Sequence, residues 1–165
     1  MCMYQLKATQ ILPISKKEAW EFLSNPKNLK TITPRHMGFH ILDGADGKMF
    51  PGQIIQYKVK PFPFANVRWV TEITHVVDND YFVDEQRFGP YVLWHHKHFL
   101  KETLNGTVME DIVDYKLPFG LFGRLAHFMW IEKQLKHIFR YREEKLTQLF
   151  GNVKDTKNSI STKRI

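Results

Sequence analysis

Between residues 37 and 117 the chain alternates apolar and polar side chains in short runs, the period-two signature of strands with one buried face. The runs are GFHIL, QIIQYKVK, NVRWVTEITHVV, YFVDEQRF, YVLWHHKHFLKE and TVMEDIVDYKL. They are separated by DGADGKMFPG, PFPF, DND, GP and LNG. Each separator is rich in Gly, Pro, Asn or Asp, which supply turn backbone, so the runs should form a meander of antiparallel hairpins. An earlier run, MYQLKATQIL over residues 3–12, ends at Pro13 and brings the expected strands to seven.

Helical signals flank this block. Ser15 stands where an N-cap belongs and Glu18 completes a capping box ahead of a short helix. Pro26 opens a second short helical segment that Pro34 breaks. After Pro118 the period changes. Leu121, Leu125, Phe128, Ile131, Leu135, Ile138, Arg142, Leu146 and Leu149 recur at steps of three and four, one face of a long helix. Phe119, Phe122, Phe128, Met129, Trp130 and Phe139 are also expected as core beneath that helix, Trp130 and Phe139 packing off the main stripe or forming an apolar patch. Gly151 is a plausible stop, and the polar residues 151–165 are expected to be a disordered tail after a single domain over 1–150.

This order predicts an α+β fold: a curved seven-stranded antiparallel sheet wrapped around a long C-terminal helix, with two short helices between strands 1 and 2. A bent sheet and one helix do not close completely, so an internal cavity is expected between them.

Strand parity says which side chains face it. Trp69, Thr71 and Ile73 share a face, as do Tyr57 with Ile55 and Val59. Taking Phe82 as inward brings Asp84 and Gln86 with it. Trp94, His96, His98 and Leu100 share parity against a face holding two lysines. Met109, Asp111, Val113, Tyr115 and Leu117 alternate with Glu110, Asp114 and Lys116. The predicted concave face therefore carries Asp84, Gln86, His96, His98, Asp111 and Tyr115, framed by Trp69 and Trp94. His75 and His95 are expected on the solvent side. Buried charge without a partner costs several kcal/mol, so these groups must pair, bind water or meet a ligand.

Three chemistries fit. The groups can satisfy one another as a structural network. They can orient the polar head of a lipophilic molecule whose body packs on Trp69, Trp94, Met109, Phe128 and Ile131. Or a histidine beside a carboxylate can act as a general base, making His96, His98 and Asp111 the catalytic candidates, with Tyr115 or the second histidine as the acid. The spacing His96-x-His98, with Asp111 near, also suits zinc, but one such pair is a weak signal and no metal is expected. The loops GADGKMFPG and KPFPFAN sit at strand ends where a gate over the cavity would lie.

Composition narrows the partners. The 165 residues carry a formal charge of +7, but the last fifteen supply Lys154, Lys157, Lys163 and Arg164 against Asp155. No run of five basic residues occurs and aromatics are not interleaved with cations, so nucleic acid is not expected as a partner. The single cysteine, Cys2, cannot form an internal disulfide, and no apolar stretch approaches a membrane span. A cytoplasmic protein without stable membrane insertion is expected.

The order of elements, with NPKNLKTITP, RWVTEIT, FVDEQRFGPYVLWHHKHF, the Gly106-Thr107 turn and YKLPFG, resembles the helix-grip superfamily of START-related, birch-pollen-allergen-like domains, also called SRPBCC domains, over residues 3 to about 149. More narrowly it is similar to the bacterial branch of polyketide cyclase/dehydrase-type and coenzyme Q-binding-like domains. The resemblance implies a lipophilic-ligand pocket between sheet and helix; no bound cofactor is expected. The superfamily includes binders, carriers and enzymes, so a carrier or sensor of a lipophilic or aromatic molecule is expected, with a cyclase/dehydratase as the alternative.

Overall fold

The computed structural model describes residues 2–62, 65–154 and 156–165. Strand β1 (Tyr4–Leu12) leads into helix α1 (Lys16–Leu23), two 3-10 turns (Pro26–Lys30 and Arg35–Met37), and then β2 (His40–Asp43) and β3 (Gln53–Phe62). The meander continues through β4 (Ala65–Val77), β5 (Tyr81–Phe88), β6 (Leu93–Thr103) and β7 (Gly106–Lys116). Helix α2 (Gly120–Ala126), a π-turn (His127–Ile131) and α3 (Glu132–Phe150) form one rod, followed by β8 (Ser159–Arg164). Ser15 caps α1 as its sequence suggests, its hydroxyl accepting from the Glu18 amide at 3.2 Å.

All described strands join one antiparallel sheet in the order β2-β3-β4-β5-β6-β7-β1-β8, which grips α3. The α+β helix-grip arrangement predicted from patterning is therefore present, with one strand more than expected. Residues 159–164, read from sequence as disordered, pair with β1 from Tyr4↔Arg164 to Thr9↔Ser159. The physical reason lies in the edge. Without β8, β1 would present a row of unpaired backbone groups, and the Ile160 and Thr162 positions suffice for an edge strand. Asn158 anchors its entry, accepting from the Ile11 amide and donating to Glu143 at 2.9 Å.

The helix departs from its predicted face. Beyond Ile131 the expected stripe is buried at Leu135, Arg142 and Leu146, joined by Phe139, which patterning had placed off it. Upstream, the buried positions are Gly123 and His127 rather than Leu125 and Phe128. The π-turn inserts one extra residue per turn and so moves the buried face back by one position. As a result Leu121, Leu125 and Phe128 point outward, together with Phe119, Phe122 and Met129. At Gly123 the chain passes so close to the Pro118 carbonyl oxygen that a β-carbon has no room, which fixes how the rod leaves the sheet.

Two apolar clusters flank the site. One gathers Leu12, Trp20, Ile55, Phe82, Met109 and Leu146. The other holds Tyr4, Leu6, Val113, Tyr115, Ile131 and Phe139. Among the described residues no helix is long and apolar enough to cross a membrane.

Candidate functional site

Register delivers the polar cluster. Asp84 on β5 pairs across from His96 on β6, and His98 pairs across from Asp111 on β7. Even spacing on each strand puts all four on the concave face, where they form a ring of alternating carboxylates and imidazoles. His98 spans the two acids, with Nδ1 at 2.7 Å from Asp111 Oδ1 and Nε2 at 2.8 Å from Asp84 Oδ2. His96 lies tilted over it, ring centres 3.7 Å apart, with Nε2 at 3.0 Å from Asp111 Oδ1. Phe82 stacks on the other side of His98 at 4.0 Å. From the helix, Arg142 donates to Asp111 Oδ1 at 3.0 Å.

Charge assigns the protons. Burial resists protonation of His98, yet its bonds to Asp111 and Asp84 outweigh that and raise its pKa. Burial and the neighbouring His98 charge push His96 down to about 4, so it is neutral at neutral pH. Burial also resists ionisation of both acids. Arg142 and the imidazoles hold Asp111 well below the usual carboxylate range, and His98 and His96 hold Asp84 below it. Two carboxylates, the His98 imidazolium and the Arg142 guanidinium thus sum to zero, which is how four charges persist in an apolar interior.

Neutral His96 has one proton, and Asp111 at 3.0 Å is its nearer acceptor. Its Nδ1 then faces Asp84 Oδ2 at 3.5 Å, beyond hydrogen-bond length for a direct donor. Two acceptors stand side by side with no proton between them. Both residues border a cavity of about 190 Å³. Its walls are chiefly apolar, with Trp69, Trp94, Ile55, Leu135 and Phe139 among them. Tyr57 lies in the same wall; burial and the Asp84 charge raise its pKa, so it keeps its hydroxyl proton. The side-chain amide of Gln134 donates to the Pro61 carbonyl, tying the helix to the end of β3 beside the cavity. Of the gate expected in KPFPFAN, Pro63 and Phe64 lie outside the described residues.

The structure thus places Tyr57, Trp69, Thr71, Asp84, Trp94, His96 and His98 around one cavity. The remaining predicted residues sit elsewhere. Asp111 lies behind the imidazoles, fully buried. Gln86 turns to bond the backbone of Tyr91 in both directions. Tyr115 bonds His127 Nε2 at 2.7 Å in the second cluster, with Tyr4 stacked on that imidazole. Met109 and Ile131 are core, and Phe128 is 79% exposed because of the π-turn. Patterning overlooked Arg142 as a site residue, although one cation inside an apolar helical stripe was a visible signal. It also overlooked Tyr91, whose pKa burial raises and which stands in the cavity wall. His127 had no signal, since the π-turn alone brings it inward. His75 is exposed as expected, whereas His95 is half-buried against Glu85.

Asp84, His96 and His98 also offer three ligand atoms within 4.8 Å of one another, a spacing compatible with a metal ion.

Comparison with solved structures supports the fold alone. The chain is similar to protein CV1439 from Chromobacterium violaceum, at TM-score 0.69 and 10% identity over 90% of this chain and 98% of that one. It is similar to the ginseng major latex-like protein 151 from Panax ginseng, at 0.65 and 11% over 91% and 99%. Protein Ms6760 from Mycobacterium smegmatis matches at 0.62 and 15% over 88% and 92%. No known family model and no curated protein sequence matches the chain.

Proposed function

We propose that this protein binds a small lipophilic or aromatic molecule that carries one hydrogen-bond donor, as a carrier or sensor in a single domain. The observation that carries this reading is His96 Nδ1, an acceptor with no donor among the described residues, standing 3.5 Å from Asp84 Oδ2, which already accepts from His98, at the edge of an apolar cavity. A hydroxyl or N–H placed there satisfies both atoms, while the rest of the ligand packs on Trp69 and Trp94. A cavity of about 190 Å³ suits a compact ring system: a dry apolar cavity of roughly 150 Å³ holds benzene.

The competing chemistries are weaker on the same geometry. A general base works best with a pKa near the operating pH, and His96 is pushed down to about 4. A metal would require His98 to surrender a proton it shares with two carboxylates, beside the Arg142 cation.

The experiment compares phenols with their methyl ethers by calorimetry, after native mass spectrometry of freshly purified protein has screened for a bound hydrophobic species. The phenol should bind roughly tenfold or more tightly, since one acceptor, His96 Nδ1, left unmet beneath a bound ligand costs about 1–3 kcal/mol. Asp84→Asn should erase the preference. Equal affinity for the two series overturns the proposal, and zinc binding that displaces the phenol replaces it with the metal reading.

A further inference from the structure

The outward turn of the apolar residues ahead of the π-turn creates a second feature, separate from the cavity. Phe119, Leu121, Phe122, Leu125, Phe128 and Met129 are each more than half exposed. Scattered exposed apolar residues are ordinary, but six along eleven residues of chain form a contiguous apolar collar. Phe119 is held there in the left-handed region at φ 67, followed by Gly120 at φ 51. A bulky aromatic residue rarely adopts that backbone, and strain of this kind persists only where the surrounding structure over-determines it.

Charge says what covers the collar. From residue 115 to residue 131 the sequence has no acidic side chain. Beside the collar is a groove of about 460 Å³ lined by Lys116, Arg124 and Arg164, with Phe119 and Leu121 on its apolar side. Arg164 arrives on β8, whose pairing with β1 puts a tail cation beside the helix. Among the described residues the ion pairs engage other cations, so these three have no acidic partner there. A second copy is a poor occupant. It would bring a further +7 charge and set this cationic rim against itself.

We propose that this face is a peripheral docking surface for an anionic phospholipid membrane. The aromatic and aliphatic side chains of 119–129 enter the boundary between headgroups and acyl chains, and Lys116, Arg124 and Arg164 receive lipid phosphates. Apolar contact plus anionic attraction is the combination that holds a segment in a bilayer interface without crossing it. The proposal does not depend on what fills the cavity.

The test is co-sedimentation of the full chain with vesicles of equal parts phosphatidylglycerol and phosphatidylcholine, and with phosphatidylcholine alone. Mixed vesicles should bind roughly a hundredfold more tightly, the effect of three cations near an anionic surface. Phe122→Glu with Phe128→Glu should cut that binding at least tenfold while leaving the melting temperature and phenol affinity unchanged, because both side chains are exposed. Arg124→Gln with Arg164→Gln should weaken binding to mixed vesicles roughly thirtyfold, leaving the severalfold preference that Lys116 supplies. Failure of mixed vesicles to sediment the protein, or indifference to the paired glutamates, overturns the proposal. So does a dimer in light scattering that the glutamates dissociate while vesicle binding stays unchanged.

Discussion

Replacing Asp111 by Asn tests whether the buried ring is held by charge or merely by shape. The side chain is fully buried and keeps its volume on substitution. Its Oδ1 accepts from His96 at 3.0 Å, His98 at 2.7 Å and Arg142 at 3.0 Å, whereas Oδ2 has no partner among the described residues. Asn can still offer one oxygen to those donors, so hydrogen-bond count changes little. What changes is the sum: Asp84 alone then faces the His98 and Arg142 cations, leaving one uncompensated positive charge. Removing one partner of a buried ionic set costs about 3–5 kcal/mol. For a domain of this size that is a fall in melting temperature of roughly 6–20 °C. The interior can relieve part of the cost by releasing the His98 proton. Urea unfolding should therefore be run with nitrogen-15 spectra of the imidazoles at neutral pH, which show both His98 nitrogens protonated in the parent protein and one in the variant. A loss below about 1 kcal/mol with His98 still doubly protonated would refute the charge balance.

Other outcomes follow from the same contacts. His96 is pushed down to about 4 from an unfolded value of 6.5, so its contribution is intact above 6.5 and is lost as pH falls through about 4. The full loss is about 3 kcal/mol, read from urea midpoints across that window. His98 has the opposite sign: its pKa is raised, so its contribution is complete below 6.5 and fades as pH climbs through the folded value. A stability curve rising steadily from acid to alkaline pH would contradict that pairing. Gly123→Ala should destabilise, by about 2 kcal/mol or more, even though alanine favours helix by about 1 kcal/mol, because its methyl meets the Pro118 carbonyl. A more stable alanine variant would show that the rod leaves the sheet differently.

Strand parity anticipated seven of the side chains that border the cavity: Tyr57, Trp69, Thr71, Asp84, Trp94, His96 and His98. Alternation is a period of two, and the lysines at 97 and 101 on one face of β6 leave His96 and His98 only the other. It could not say which inward groups border the cavity. Asp111 and Tyr115 are inward, but the depth of the sheet and the reach of the helix decide that one lies behind the imidazoles and the other under His127. The helix was less legible, because a stripe at steps of three and four presumes an unbroken 3.6-residue period. One π-turn within 127–131 suffices to turn Phe128 outward and His127 inward. The tail was illegible for a different reason. An edge strand of Ser, Thr, Lys, Arg and a single Ile has little apolar content, and its pairing depends on a partner edge about 150 residues away in sequence.

The neutrality of the ring bears on selectivity at the cavity. Because Asp84, Asp111, His98 and Arg142 already cancel, an ionised ligand would enter uncompensated and pay desolvation without a counter-charge. A carboxylate fares worst, since the atoms it would meet, His96 Nδ1 and Asp84 Oδ2, are both acceptors. An ammonium meets one carboxylate but stands near two cations. A neutral hydroxyl or N–H meets both acceptors and disturbs no charge. The same arithmetic that keeps the interior stable therefore filters ligands toward uncharged donors, and a single substitution at Asp111 should shift both properties together.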